Sequence, residues 1–321
     1  QLFNFTSSAP PYQVAGSWPG KMKKKLESFL NTSPIDIAHV QHMRMAQYMA
    51  DRSDIARILD LPDAYSLYWE RRKKVERPWY NRLFDSLESK RVIRYESVTS
   101  KFSLNLACSI EDRAHLEKTH PGVQFGLLRN GVNLETFNFR GHDYSRAKTL
   151  LFTGNMDYAP NVDAVIHFVE NMFPQIVSKY PNIQLIIAGQ RPIKPVRELA
   201  SSNIQITGFV PDLSEMYDQA DILIAPLRFG AGTQNKVLEA LAMGLPCICT
   251  HIGFEGLEIK SGEGAYLAKN DEQFIDHVMT LLESKELRET CGQRGLEIAR
   301  TRFSWDIIAK DLEQFLLNQA S

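Results

Sequence analysis

Residues 228–246 read RFGAGTQNKVLEALAMGLP, an order of residue types suited to holding an anion. The apolar run DILIAPL (221–227) predicts a strand, RFGAG a loop, and TQNKVLEALAM a helix that Gly244 and Pro246 close off. A glycine loop running into a helix N-terminus leaves backbone N–H groups open to a negatively charged ligand, with no side chain in its way. Lys236 falls in the first turn, where the helix dipole disfavours a cation unless an anion accompanies it. Glu239 lies three residues on, so it shares that face and suits acceptance of hydrogen bonds from sugar hydroxyls. Thr233 reads as the N-cap. A solvated Lys236–Glu239 pair behind an ordinary glycine turn fits the same spacing. The chain has no G-x-x-x-x-G-K-[ST] loop and no G-x-G-x-x-G after its first strand, so neither a P-loop nor a nicotinamide site is indicated.

The elements around this stretch alternate. KTLLFTG (148–154), IQLIIAG (183–189), IQITGF (204–209) and PCICT (246–250) read as buried strands, with helical spacing over 161–180, 212–219 and 233–243. The front repeats the theme in IDIAHV (35–40), IARILDL (55–61) and FSLNLACS (102–109), followed by a helix at 110–118. Near-continuous apolar strands separated by helices imply parallel sheets covered on both faces. We therefore expect an N-terminal Rossmann-like domain over 1–140, a second over 141–303, and an amphipathic helix over 304–321 that crosses back to the first. In open α/β sheets ligands bind beyond the carboxyl ends of the strands, which singles out the loops there.

Composition narrows the function classes. Residues 1–140 carry 21 Lys/Arg against 15 Asp/Glu and the remainder 16 against 23, so a basic front faces an acidic back. Cys108, Cys247, Cys249 and Cys291 form no C-x-x-C pair and no zinc-spaced cluster, which fits a cytoplasmic protein without a metal. No apolar run reaches 18 residues, and QLFNFTSSAP lacks the pattern of a signal peptide. The runs KMKKK (21–25) and ERRKKVERPWYNR (70–82), with Trp69, Trp79 and Tyr80, suit peripheral contact with an anionic membrane, or else a solvated helix face. No nucleic-acid-binding module accompanies the charge.

The string GAGTQNKVLEALAMGLPCICTHIGFEGLE resembles the donor-site signature of GT-B glycosyltransferases of group 1, the retaining family 4 type. LLFTGNMDYAPNVDAVIHFVENMFPQI resembles the first strand, loop and helix of their nucleotide-sugar domain, and IQITGFVPDLSEMYDQADILIAPL the segment that holds the base. LLRNGVNLETF and RFSWDIIAKDLEQF resemble the segments at the hinge and the carboxy terminus. The resemblance implies two Rossmann-like domains facing a cleft, and transfer of a sugar from a nucleoside-diphosphate sugar to a glycan or lipid-linked acceptor, with no cofactor or metal. It gives the donor diphosphate to Gly154, Asn155, Arg228, Gly230, Ala231, Gly232, Thr233 and Lys236. The base, ribose and sugar go to Gly208, Phe209, Val210, Gln234, Asn235 and Glu239. His42, Asp63 and Lys236 are the candidate catalytic residues; Asp63 or His42 would stand in for a histidine the family carries near Pro62.

Departures from the pattern accompany the match. Ala231 replaces the first glutamate of the family's E-x7-E pair, and the loop GNMDYAPN lacks the usual Arg and Lys. Asn133 replaces an aspartate. Residues 1–30 show neither the family's opening strand nor its glycine loop, so the N-terminal sheet is expected to be incomplete by two or more strands. His39, at the end of a strand, reads as a core histidine. The competing readings are a non-catalytic or truncated relative that binds nucleotide sugars as a partner protein and, more weakly, a GT-B epimerase.

Overall fold

The computed structural model describes residues 9–17, 20–76 and 78–320. Residues 1–8 of the stretch read for a signal peptide, Trp18 and Pro19 before KMKKK, Arg77 within ERRKKVERPWYNR, and Ser321 at the end of the predicted last helix lie outside the described residues. The chain divides into two compact units, one of residues 1–129, 229–233 and 309–321, the other of 130–228 and 234–308. The division falls at Arg129/Asn130 instead of 140/141. The reason is local: Phe137 packs edge-on against Tyr217, 5.6 Å between centroids, and the Tyr144 hydroxyl donates to the Gly244 carbonyl at 2.8 Å, so the polar stretch 137–148 belongs to the second unit.

The first unit holds a parallel sheet of β1 (Ile37–Gln41), β2 (Ala56–Leu61), β3 (Leu104–Ala107) and β4 (Phe125–Leu127), in the order β1-β2-β3-β4. Leu59 and Leu61 of β2 and Ala107 of β3 are buried in one apolar cluster with Trp69, Val92 and Leu116 of the flanking helices. The helix Gly20–Thr32, which carries KMKKK, has no buried residue.

The second unit holds β5 (Thr149–Thr153), β6 (Gln184–Ala188), β7 (Ile204–Gly208), β8 (Ile222–Ala225), β9 (Cys247–Thr250) and β10 (Ala265–Ala268). These form one parallel sheet in the order β10-β9-β8-β5-β6-β7. The chain starts at β5, builds outward to β7, then returns to lay β8 on the other side of β5. Connections leave β5 and β8 toward opposite faces, so the crevice beyond their carboxyl ends is the place for a ligand. The helical run predicted over 161–180 has a π-turn at Phe168–Met172 just before Pro174, which has no N–H to continue the ladder.

The helix Asn235–Ala242 follows β8 and is backed by the helix Lys285–Arg302. That approach is close enough to require glycine. A Cβ on Gly292 would collide with the Gly244 carbonyl oxygen and with the Tyr144 ring, 2.8 Å from its Cε1. Alanine at a mid-helix glycine ordinarily gains up to about 1 kcal/mol of propensity. Here the clash with backbone wins: Gly292→Ala should lose about 1–3 kcal/mol in urea unfolding, and a variant as stable as the parent would contradict this packing.

Candidate functional site

Lys236 is 8 % exposed, in the first turn of Asn235–Ala242. Its neighbours Val237, Leu238, Ala240 and Leu241 are buried, so the core pins the helix and carries the lysine inward with it. The ammonium donates to Asn161 Oδ1 at 3.1 Å and Gln234 Oε1 at 3.3 Å, and stands 5.0 Å from the centroid of the Phe152 ring. All three are neutral. Burial therefore pulls its pKa down to about 8, against the opposing charge of Glu239. No acidic residue occupies the first turn, and the N-cap, Gln234, makes no side-chain capping bond. Thr233 is not the cap: its hydroxyl donates to the Cys108 carbonyl at 3.3 Å.

Asn161 ties Lys236 to the loop after β5. Its Nδ2 donates to the Asn155 carbonyl at 3.1 Å, while Asn155 Oδ1 accepts from Gln190 at 3.0 Å. Gly154 has φ 148°, and Asn161's amide fills the space where its side chain would stand. Glu239 belongs to a second chain of bonds. The Thr153 hydroxyl pairs with Tyr217 Oη at 2.8 Å, and Tyr217 donates to Glu239 Oε2 at 2.6 Å. Glu239 Oε1 has no hydrogen-bond partner among the described residues, and burial raises the carboxyl's pKa. Gly154, Asn155, Gln234, Lys236 and Glu239 thus meet where β5 and β8 end, while Asn235 is exposed and accepts from Asn130 at 3.2 Å. Sequence reasoning missed Thr153, Asn161 and Tyr217, whose polar atoms sit at otherwise apolar or unremarkable positions.

Other candidates form no hydrogen bond with the Lys236 ammonium and have surroundings of their own. Arg228 forms a two-point ion pair with Asp163, at 2.8 and 2.5 Å. Gly208 lies at the end of β7, two strands out from β5, and its carbonyl accepts from Gly189 N at 3.1 Å. Phe209 is 72 % exposed and Val210 half-buried.

The loop Phe229–Thr233 groups with the first unit. Arg71 donates to the Gly230 carbonyl at 2.9 Å, and Gly232 N donates to Asp112 Oδ2 at 3.0 Å. Asp112 Oδ1 also accepts from Ala64 N at 2.7 Å. Ala231 is buried. Gly232, with φ 75°, lies against the Asp63 carboxyl and 2.6 Å, by a constructed Cβ, from the Pro62 carbonyl, so no side chain fits there. Burial and the Asp112 charge push Asp63 up to about 8, so at neutral pH it is mostly a neutral acid. His42 follows β1 with φ 72°, its N–H bonded to the Asp60 carbonyl at 2.8 Å. Burial, then the Arg44 charge, lower its pKa against the pull of Asp60. His39 is no core residue; on the edge strand β1 it is partly exposed and pairs with Asp60 at 3.2 Å.

The family model for group 1 glycosyl transferases matches residues 147–284, which hold every residue of the Lys236 cluster. Phosphatidyl-myo-inositol mannosyltransferase of Mycobacterium tuberculosis is 26% identical over 199 residues, 58% of this chain and 52% of its own. Among solved structures, sucrose-phosphate synthase of Thermosynechococcus elongatus superposes with TM-score 0.76 at 16% identity, covering 94% of this chain and 78% of that one. HepE of Anabaena in complex with UDP gives TM-score 0.70 at 13% identity, covering 93% and 81%. Over residues 147–284 the chain is similar to the group 1 glycosyltransferases. Its fold is GT-B. Its matches span about half the length of the curated relatives.

No helix of the described residues is long and apolar enough to cross a membrane. The buried lysine has a measurable consequence. Its folded pKa, about 8, lies below the ordinary 10.5, so its burial penalty is full below pH 8 and fades as pH rises toward 10.5. That shift corresponds to about 3 kcal/mol. Without ligand, Lys236→Met should be more stable than the parent at pH 7 by up to that amount, with the margin closing by pH 10. A variant less stable across the whole range would contradict an uncompensated buried ammonium.

Proposed function

We propose that the protein is a retaining glycosyltransferase of family 4 type, which moves a hexose from a nucleoside-diphosphate sugar onto a glycan or lipid-linked acceptor in surface polysaccharide or glycolipid synthesis. The observation that carries this reading is the buried, incompletely paired Lys236 at an uncapped helix N-terminus, beyond the carboxyl ends of β5 and β8. A diphosphate there would supply the negative charge that the neutral acceptors do not. Glu239 Oε1 would accept from a ribose or sugar hydroxyl, held in place by Tyr217. The exposed Phe209 ring offers a face to the base.

Catalysis in this proposal needs no protein nucleophile, cofactor or metal of its own. It rests on holding the donor and stabilising the departing diphosphate with Lys236 and the backbone N–H groups. Asp63 abuts Gly232, so a group bound on that loop meets an un-ionised carboxyl able to donate a hydrogen bond. A binding-only relative is the second reading, favoured by Ala231 in place of a glutamate.

Peripheral attachment at the cytoplasmic face of an anionic membrane belongs to the proposal. Trp79, Tyr80 and Leu83 are 73 %, 59 % and 64 % exposed on the helix Trp79–Glu96, near the exposed cations Lys73, Lys74 and Arg82. Trp69 is no part of that surface; it is buried. Trp79→Ser with Leu83→Ser should reduce sedimentation with phosphatidylglycerol vesicles several-fold, and unchanged partitioning would contradict this attachment.

Calorimetry with UDP-, GDP-, ADP- and dTDP-sugars tests the donor reading. One of them should bind at micromolar concentration and lose at least about 30-fold in Lys236→Met, as expected for a charge-assisted contact of about 2 kcal/mol. No binding to any of them by the folded protein contradicts the proposal. Because Asp63 and Lys236 both lose protons near pH 8 in the free protein, transfer at subsaturating donor should fall as pH rises through 8. Asp63→Asn, which stays neutral, should keep donor affinity. Binding without transfer to any acceptor would favour the second reading.

A further inference from the structure

Following the carboxyl ends of β1 and β2, the side chains of Arg44, His42 and Tyr65 have no hydrogen-bond partner among the described residues. Arg44, in the short helix Met43–Tyr48, is half-buried, and its guanidinium has no hydrogen bond or ion pair among the described residues. Other arginines of the first unit are answered: Arg52 by Asp54, Arg57 by the carbonyls of Met49 and Ala50, Arg72 by Asp85. His42 Nδ1 is enclosed without a partner, and no bond engages its Nε2. The Tyr65 hydroxyl is likewise unbonded and lies within the field of both Arg44 and Asp63.

Neither acid at these two strand ends forms an ion pair with Arg44. Asp60 is engaged by His39 at 3.2 Å, and Asp63 is mostly protonated at neutral pH. A charged guanidinium and an imidazole thus follow β1, and a phenol follows its parallel neighbour β2, on the side of the sheet where α/β folds bind ligands. The backbone of His42 is held there in a left-handed conformation, fixed by its N–H to the Asp60 carbonyl at 2.8 Å and by its carbonyl, which accepts from Met45 N at 2.9 Å. Arginine matches a tetrahedral anion with a two-point fork, which a lone pair of hydroxyl donors cannot do.

We infer that Arg44, His42 and Tyr65 form a phosphate-binding site in the first unit, which takes a phosphoester group of the acceptor. Its use in catalysis rests on the transferase reading; its existence does not. The chemistry is shared by a soluble sugar phosphate, a monoester, and by a phospholipid headgroup, a diester.

Binding is to be measured by calorimetry with glycerol 3-phosphate and with dibutyryl phosphatidylglycerol, in the Lys236→Met protein so that the donor helix does not compete. One of these probes should bind at millimolar or tighter concentration. Arg44→Gln should weaken it at least tenfold, Arg44→Lys should recover part of the loss, and Tyr65→Phe should cost a few-fold. Preference for the monoester identifies a soluble phosphate acceptor and preference for the diester a lipid one; both uphold the site. Binding unaltered by Arg44→Gln in a protein with parental circular dichroism overturns it, as does absence of binding by either probe. Nucleotide-sugar binding in Arg44→Gln on the otherwise unaltered protein should match the parent, which separates failure here from failure of the donor reading.

Discussion

An ammonium group removed from water must recover its lost hydration from what surrounds it, and the direct partners of Lys236 are neutral, with Glu239 only partly offsetting the burial. Two side-chain carbonyls and an aromatic face orient the charge without cancelling it. The second unit is organised around that imbalance. Phe152 comes from the central strand β5, Asn161 from the helix after it, and Gln234 from the residue before the next helix. Three elements of the topological switch point therefore converge on one nitrogen atom. Gly244, Gly264, Gly292 and Gly295 let the backing segments come close enough to keep the helix there.

The first unit treats charge in the opposite sense. At its carboxyl edge an acid is kept neutral by burial and by a second acid: Asp112 accepts from Ala64 N and Gly232 N, and its charge adds to the burial of Asp63. A neutral acid beside a glycine loop is compatible with an anionic ligand where a carboxylate would repel it. Arg44, two residues beyond His42, leaves the same edge with an unanswered positive charge. Both units thus present their surplus cation at the end of the sheet where bound ligands are expected, each by its own local packing.

Much of this was legible in the sequence. The buried parallel strands show as unbroken Val/Ile/Leu runs because both faces are covered, and Lys236 stands out because a cation at a helix N-terminus defies the dipole. The strands β4 and β10 did not show, since FGL and AYLA are too short for any period to register. Thr233 misled because its hydroxyl finds the Cys108 carbonyl, 125 positions away, in place of the nearby helix N–H groups. His39 misled because β1 is an edge strand whose outward positions stay open. Asn161 and Tyr217 gave no signal at all. Their partners lie 75 and 22 positions away, and a single polar atom in an apolar pattern does not announce a long-range bond.

The claim that Lys236 is an ammonium awaiting an anion is tested most directly by its own titration. NMR of isotope-labelled lysine, assigned with Lys236→Met, reports that pKa in the free protein and with saturating UDP, GDP or ADP. The account predicts about 8 in the free protein and a clear rise with the diphosphate that binds. An ordinary value near 10.5 in the free protein, or a titration that no nucleoside diphosphate moves, would contradict it.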